Sequence, residues 1–110
     1  MSDYVLIRTT VPTRELGQTI ADHLVSRHLA VSVHVKGPTE ATYSWQDQVH
    51  HSQEWDCEIR TRAEARSQVE ELIREHHPYE VVEIFVLEMD VGDPHLKAWL
   101  DRYVRAGGAF

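Results

Sequence analysis

Two pairs of adjacent histidines are the residues in this chain best suited to hold a metal ion. His50 and His51 lie in a polar stretch, and His76 and His77 end a stretch with helical periodicity. Imidazole is a common ligand for copper, zinc and nickel. Adjacent side chains diverge on a helix or a strand, so one pair seldom gives two ligands to one ion. A solvated loop for the first pair, and a helix C-terminus that favours imidazole for the second, are the preferred interpretations.

A second candidate site is a set of charged residues that strand periodicity places on one side of a sheet. Asp56, Glu58 and Arg60 alternate with apolar residues and therefore share a face. Such carboxylates beside an arginine and a histidine offer a general acid–base set with a cationic clamp. The candidate catalytic residues are Arg8, His34, Asp56 and Glu58, expected within about 3–5 Å of one another near a subunit interface. The competing and favoured interpretation is an ion-pair network.

Aromatic residues on strands and near turns form a third group. Four of them could line a ligand pocket, although core or interface packing is the commoner role: Tyr43, Trp45, Trp55 and Trp99. The candidate ligand-binding residues are Tyr43, Trp45, Arg60, Tyr79 and Glu83. The structural alternative has Glu83 pairing with a basic group such as Arg60 or Lys36. Cys57 alternates with apolar residues and is expected to be a buried, unreactive thiol.

The elements that position these residues follow from periodicity and from helix-capping signals. Alternating or β-branched runs predict strands, four-residue apolar spacing predicts helices, and Thr13, Asp93 and a Thr61–Glu64 capping box mark helix starts. A polar stretch at 46–53 is expected to connect two strands. The predicted strands are 4–11, 31–36, 39–45, 54–60 and 81–87, and the predicted helices are 14–28, 61–76 and one beginning at 94.

This order predicts an α+β fold, namely a ferredoxin-like split βαβ sandwich with an antiparallel sheet, an extra hairpin strand and a C-terminal helix. Residues 1–110 are expected to form a single domain, with a frayed tail at 106–110. Two helices cover only one face of such a sheet. The other face stays exposed unless further copies of the chain cover it, which points to self-association.

Composition excludes several classes of partner. The net charge is −7 and no Lys/Arg cluster is longer than two, so nucleic acid is not an expected partner. No apolar run approaches the ~18 residues of a membrane span, and the N-terminus lacks a basic, apolar export signal. The single cysteine forms no internal disulfide. A cytoplasmic location is therefore expected.

Several segments resemble the CutA family of divalent cation tolerance proteins, in family order and spacing. Residues 77–84, HPYEVVEI, resemble the family signature HPYEVPEI. Residues 30–35 resemble its ACVNI strand, and 42–45 its S-x-Y-x-W strand. Residues 60–61 resemble its Lys-Thr pair before the second helix, and 96–100 its L-x-W-L ending.

The resemblance implies a ferredoxin-like fold, a cytosolic homotrimer of PII-like architecture, and divalent ions such as copper as ligands. His76 and His77 match the family's proposed copper-binding pair, but Thr9 stands where copper-linked members have a cysteine. Weak binding of Cu or Zn is therefore expected.

Two functions remain open. The first is a trimer that binds divalent metal or a small effector without turnover. The second is an enzyme of small-molecule metabolism on the same scaffold, with its active site on the charged sheet face.

Overall fold

The computed structural model describes residues 2–105. The predicted frayed tail at 106–110 lies outside these residues. Seven elements follow in the order strand, helix, strand, strand, helix, strand, helix, and a 3₁₀ turn, Ala63–Ala65, precedes the second helix. They are β1 (Tyr4–Val11), α1 (Arg14–Ser26), β2 (Ser32–Trp45), β3 (Gln48–Arg62), α2 (Arg66–His76), β4 (Ile84–Glu88) and α3 (Pro94–Tyr103).

The four strands form one antiparallel sheet in the order β2-β3-β1-β4, which confirms the predicted ferredoxin-like fold. The central strand β1 aligns Ile7 with Ile59 on one side and with Val86 on the other. Apolar residues of α1 and α2, such as Leu24 and Ile73, are buried in one core with Ile7 and Ile59. The helices thus cover one face of the sheet, and Arg8, on the opposite side of β1, is exposed.

Strands β2 and β3 are longer than the sequence pattern predicts. The expected strands at 31–36 and 39–45 are a single strand with a register shift between Lys36 and Thr39. The expected connection at 46–53 is mostly strand, because Gln46 and Asp47 alone make the turn, with φ angles of 52° and 62°. Two such left-handed residues match the twist of the flanking strands. Residues 39–53 therefore form a two-stranded extension, hereafter the ribbon.

The capping box predicted at Thr61 is wrong. β3 continues through Arg62, so Thr61 is a buried strand residue whose hydroxyl donates to the Leu29 carbonyl at 2.6 Å. Glu64 accepts instead from Arg62 at 2.6 Å.

The other two predicted helix caps are confirmed. The backbone N–H of Leu16 donates to the Thr13 hydroxyl at 3.1 Å. The backbone N–H of Leu96 donates to the Asp93 carboxylate at 2.9 Å.

The last strand begins later than predicted, at Ile84 rather than at residue 81. Its pairing with β1 starts at Thr9, opposite Ile84, and runs to Val5, opposite Glu88. Residues 77–83 therefore form a loop between α2 and β4. Within residues 2–105, no helix is long and apolar enough to cross a membrane.

Candidate functional site

A cleft of about 570 Å³ lies where the loop after α2 meets the ribbon and the end of β1. This volume is in the range of small-molecule pockets, roughly 300–1,000 Å³. Four of the five predicted ligand-binding residues line it, and the fifth, Arg60, does not. The lining residues are Thr10, Ala41, Thr42, Tyr43, Ser44, Trp45, Glu54, His77, Pro78, Tyr79, Glu80, Val81 and Glu83.

Glu54 is the most unusual residue of the cleft. Its side chain is held in β3 opposite Thr39, only 6% of the residue is exposed, and its Oε2 atom has no hydrogen-bond partner. Burial raises the pKa of this carboxyl group, and the nearby Glu83 and Asp56 carboxylates raise it further; a positive charge on His77 would lower it. A buried carboxylate without a partner is costly, and such groups mark functional sites.

Glu54 is not among the residues predicted from the sequence, because the polar stretch 46–53 predicts a loop that ends just before it. One sequence signal does point to Glu54: it shares strand parity with the predicted site residues Asp56 and Glu58.

A chain of hydrogen bonds fixes the loop of the cleft to β1. The Tyr79 backbone N–H donates to His77 Nδ1 at 3.2 Å, and His77 Nε2–H donates to the Thr10 carbonyl at 2.7 Å. The Thr10 hydroxyl then donates to Glu83 at 3.1 Å. Only the neutral Nε2–H tautomer of His77 satisfies both of its bonds. His77 is therefore an anchor of the cleft wall, with both ring nitrogens engaged.

Tyr79 lies close enough to Glu54 to feel its charge, and two further aromatic residues line the same cleft. Burial raises the pKa of the Tyr79 hydroxyl, and the charges of Glu54 and Tyr43 raise it further. Tyr43 and Trp45 belong to the ribbon, whereas Tyr79 belongs to the loop after α2. The cleft therefore has aromatic rings on two walls and a carboxylate that lies deep between them.

Gly37 explains how the backbone around Glu54 is positioned. A Cβ atom at this position would lie 2.7 Å from Trp55 Cδ1 and 3.0 Å from the Glu54 carbonyl oxygen. Such approaches are shorter than normal van der Waals contact, so only glycine lets β2 pass this close to β3.

The structure gives the predicted metal pair, His76 and His77, different roles. His76 Nδ1–H donates to the Leu72 carbonyl at 3.0 Å, and its ring lies 5.0 Å from that of His23, whereas both nitrogens of His77 are already bonded. Among residues 2–105, no group of three or more His, Cys, Asp or Glu residues could hold a metal ion. The donors within one chain therefore do not fit a complete copper or zinc site.

The second histidine pair, His50 and His51, lies on β3 rather than in the expected loop. His50 stacks on Tyr43 with ring centroids 5.5 Å apart. His51 Nδ1 is 3.2 Å from the Thr42 hydroxyl. Both rings therefore make cross-strand contacts within the ribbon.

The charged sheet face is a set of ion pairs. Arg8 lies 3.8 Å from Asp56, and Glu58 contacts Lys36 at 3.0 Å and Arg60 at 3.5 Å. The hydrogen bond from Lys36 lowers the pKa of Glu58, and the charges of Arg60 and Arg8 act in the same direction.

His34, the remaining candidate on this face, is exposed and stands opposite Glu58 in the sheet register.

The predicted pairing of Glu83 with Arg60 or Lys36 is wrong. Both basic groups form ion pairs with Glu58, and Glu83 instead accepts a hydrogen bond from the Thr10 hydroxyl.

Cys57 confirms the prediction of an unreactive thiol. It is fully buried in the core, and burial raises its pKa to about 11. The thiolate needed for nucleophilic or redox chemistry is therefore suppressed.

Fold and cleft together define a small ferredoxin-like protein with a cleft of small-molecule size. The sequence model of the CutA1 divalent ion tolerance protein family matches residues 5–103, and the chain belongs to this family. The divalent-cation tolerance protein CutA of Thermus thermophilus is 35% identical over 91% of this chain and 95% of its own length. Its solved structure has a TM-score of 0.89, with 30% identity over 93% of this chain and 99% of that one.

A plant relative is longer than this chain. The chloroplastic CutA protein of Arabidopsis thaliana is 29% identical over 92% of this chain, which spans only 56% of that protein. Membership of the family supports a role in tolerance to divalent cations.

Proposed function

We propose that this chain is a cytoplasmic, homotrimeric binding protein of divalent-cation tolerance that holds a positively charged effector in the Glu54 cleft without turning it over. The observation that carries this proposal is the buried Glu54 carboxylate, whose Oε2 has no partner although it lines a cleft of ligand size. A positively charged ligand supplies the missing partner and offsets the cost of burying the charge.

The sign of the ligand's charge follows from the other residues of the cleft. Glu80 and Glu83 line it together with Glu54, and no lysine or arginine is among the lining residues that the structure describes. An anionic ligand would meet repulsion from all three carboxylates. A cation is attracted by them.

The trimer is supported by the face of the sheet that the helices leave open. Phe85 and Leu87 lie beside Arg8 and Leu6 on that face, and they are 60% and 46% exposed. The ribbon also projects as two strands paired only with each other, an arrangement that is marginally stable alone. Further copies of the chain would bury these apolar side chains and support the ribbon.

A binding role is favoured over catalysis because the candidate acid–base residues are engaged. Asp56 and Glu58 each have a basic partner, which is the arrangement of a structural network. For metal, we infer weak binding of Cu or Zn through His76, because its Nδ1–H donates a hydrogen bond to a backbone carbonyl, as in many metal-ligating histidines. His76→Ala should then abolish the heat of zinc binding in calorimetry, whereas His50→Ala should retain it.

Two measurements test the proposal. Light scattering should give a mass of about three times 12.7 kDa, and a stable monomer would contradict the trimer. A thermal-shift series at pH 8 should include zinc, n-butylammonium and butyltrimethylammonium as cations, and butyrate as an anion.

At least one of the cations should stabilise the wild-type protein more than Glu54→Gln, whereas butyrate should stabilise neither. The matched control is Glu71→Gln, on the exposed face of α2, which should behave like the wild type. If no cation stabilised the wild-type protein more than Glu54→Gln, the cleft would be refuted as the effector site.

A further inference from the structure

The cleft is much larger than a metal ion needs. A volume of 570 Å³ accommodates an organic molecule of many atoms, whereas a bound divalent ion occupies a small cage of four to eight close ligands. Within residues 2–105, no cluster of three or more metal-ligating side chains is present. Both observations separate this cleft from a metal site within one chain.

The cleft lacks a hydrogen-bond donor at its deepest carboxylate. Glu54 Oε2 is shielded from solvent and accepts no hydrogen bond, and Glu83, the neighbouring carboxylate, receives one from Thr10. None of the hydroxyl and N–H groups that line the cleft donates to Oε2, and His77 directs its Nε2–H at the Thr10 carbonyl. A ligand that donates N–H bonds and carries a positive charge satisfies this oxygen most strongly.

The walls of the cleft are suited to the rest of such a ligand. Tyr43 and Trp45 stand on the ribbon and Tyr79 on the opposite loop, each with roughly two fifths of its surface free. Aromatic faces attract cations and also cover the CH₂ groups of an alkyl chain.

We propose that the effector of this cleft is a primary alkylammonium compound. Its NH₃⁺ group donates to the buried Glu54 carboxylate, and its alkyl chain lies between the aromatic walls of the ribbon and the loop. This inference rests on the proposed function and specifies its ligand class. A quaternary ammonium has no N–H to donate, and a bare metal ion leaves most of the cleft unfilled.

The test compares matched probes by amide NMR of the full chain in its native oligomeric state. n-Butylammonium should shift the amide signals of Tyr43, Glu54 and Tyr79, and it should bind at least tenfold more tightly than n-butanol, which has nearly the same shape without the charge. It should also bind more tightly than butyltrimethylammonium. Glu54→Gln should weaken n-butylammonium binding at least tenfold, and Glu71→Gln should leave it unchanged.

The contrary outcomes are distinct. Equal binding of n-butanol and n-butylammonium would overturn the inference, because the cleft would then select apolar chains. Tighter binding of zinc or butyltrimethylammonium through Glu54 would also overturn it, while leaving the cationic effector of the proposed function in place. Failure of every cation would refute both.

The comparison among probes uses the wild-type protein, so the test remains decisive even if Glu54→Gln fails to fold.

Discussion

Replacing Glu54 by glutamine should stabilise the unliganded protein at neutral pH. The substitution keeps the size and shape of the side chain but removes a charge that is 6% exposed and unpartnered at Oε2. An unsatisfied buried polar group costs about 1–3 kcal/mol, and more when it is charged. The glutamine amide also needs partners, so we expect a gain of about 1 kcal/mol.

The gain should depend on pH in a direction set by the pKa of Glu54. That pKa is raised above its ordinary value of 4.5, so between the two values the folded protein binds more protons than the unfolded chain. The stability of the wild-type protein therefore falls as pH rises through this window, and the variant escapes the loss. The advantage of Glu54→Gln should be larger at pH 7 than at pH 4, which lies below both pKa values.

Thermal unfolding at matched protein concentration measures this effect, since the midpoint of an oligomer depends on concentration. For a chain of this size, about 1 kcal/mol corresponds to a shift of about 4 °C or more in Tm. Glu71→Gln, on the exposed face of α2, should shift Tm by much less. A lower Tm for Glu54→Gln at pH 7, or an equal shift at both pH values, would mean that the carboxylate has a favourable partner and would refute the reasoning.

Three other predictions concern the sheet and its ribbon. Gly37→Ala should destabilise the protein by about 1–3 kcal/mol in urea unfolding, because the added Cβ meets a tryptophan ring and backbone. The control is Gly92→Ala, whose added Cβ has nothing within 4 Å. Equal effects of the two substitutions would contradict the close approach at Gly37. Glu58→Gln should lower the free energy of unfolding by about 1 kcal/mol at pH 7 and not at all in acid, because the stability that goes with the lowered pKa of Glu58 is lost as pH falls through that pKa. Glu64→Gln, in a more exposed ion pair, is the control, and a larger loss of stability from it would contradict this prediction. Asp47→Gly should stabilise the protein by up to about 1 kcal/mol and so raise Tm, because φ is 62° there; a lower Tm would argue against the two-residue turn.

The sequence predicted the fold well because its signals are local. The apolar spacing of α1 and the capping residues Thr13 and Asp93 operate within one turn of helix. The alternation around Cys57 similarly predicted which side of β3 is buried. The bounds of β2 and β3 were harder to predict, because Gly37 and Pro38 are typical turn residues and here lie at an irregularity within a strand.

The site was predicted only in part because it depends on contacts between distant segments. Tyr43, Tyr79 and Glu83 were predicted as ligand-binding residues, and the structure brings them together at one cleft. Their common neighbour Glu54 has no special sequence motif. Its importance comes from burial and from the absence of a partner, which only the packing of the ribbon against the loop reveals.

The ionisation of Glu54 is the most direct test of the cleft. Carbon-detected NMR of its side-chain carboxyl group, followed over pH, measures its pKa in the free protein and again with n-butylammonium present. The expected result is a raised pKa in the free protein that falls when the cation occupies the cleft, because a bound positive charge favours the carboxylate. An ordinary pKa in the free protein, or a raised pKa that saturating cation leaves unchanged, would contradict the role of Glu54 as the effector-binding group.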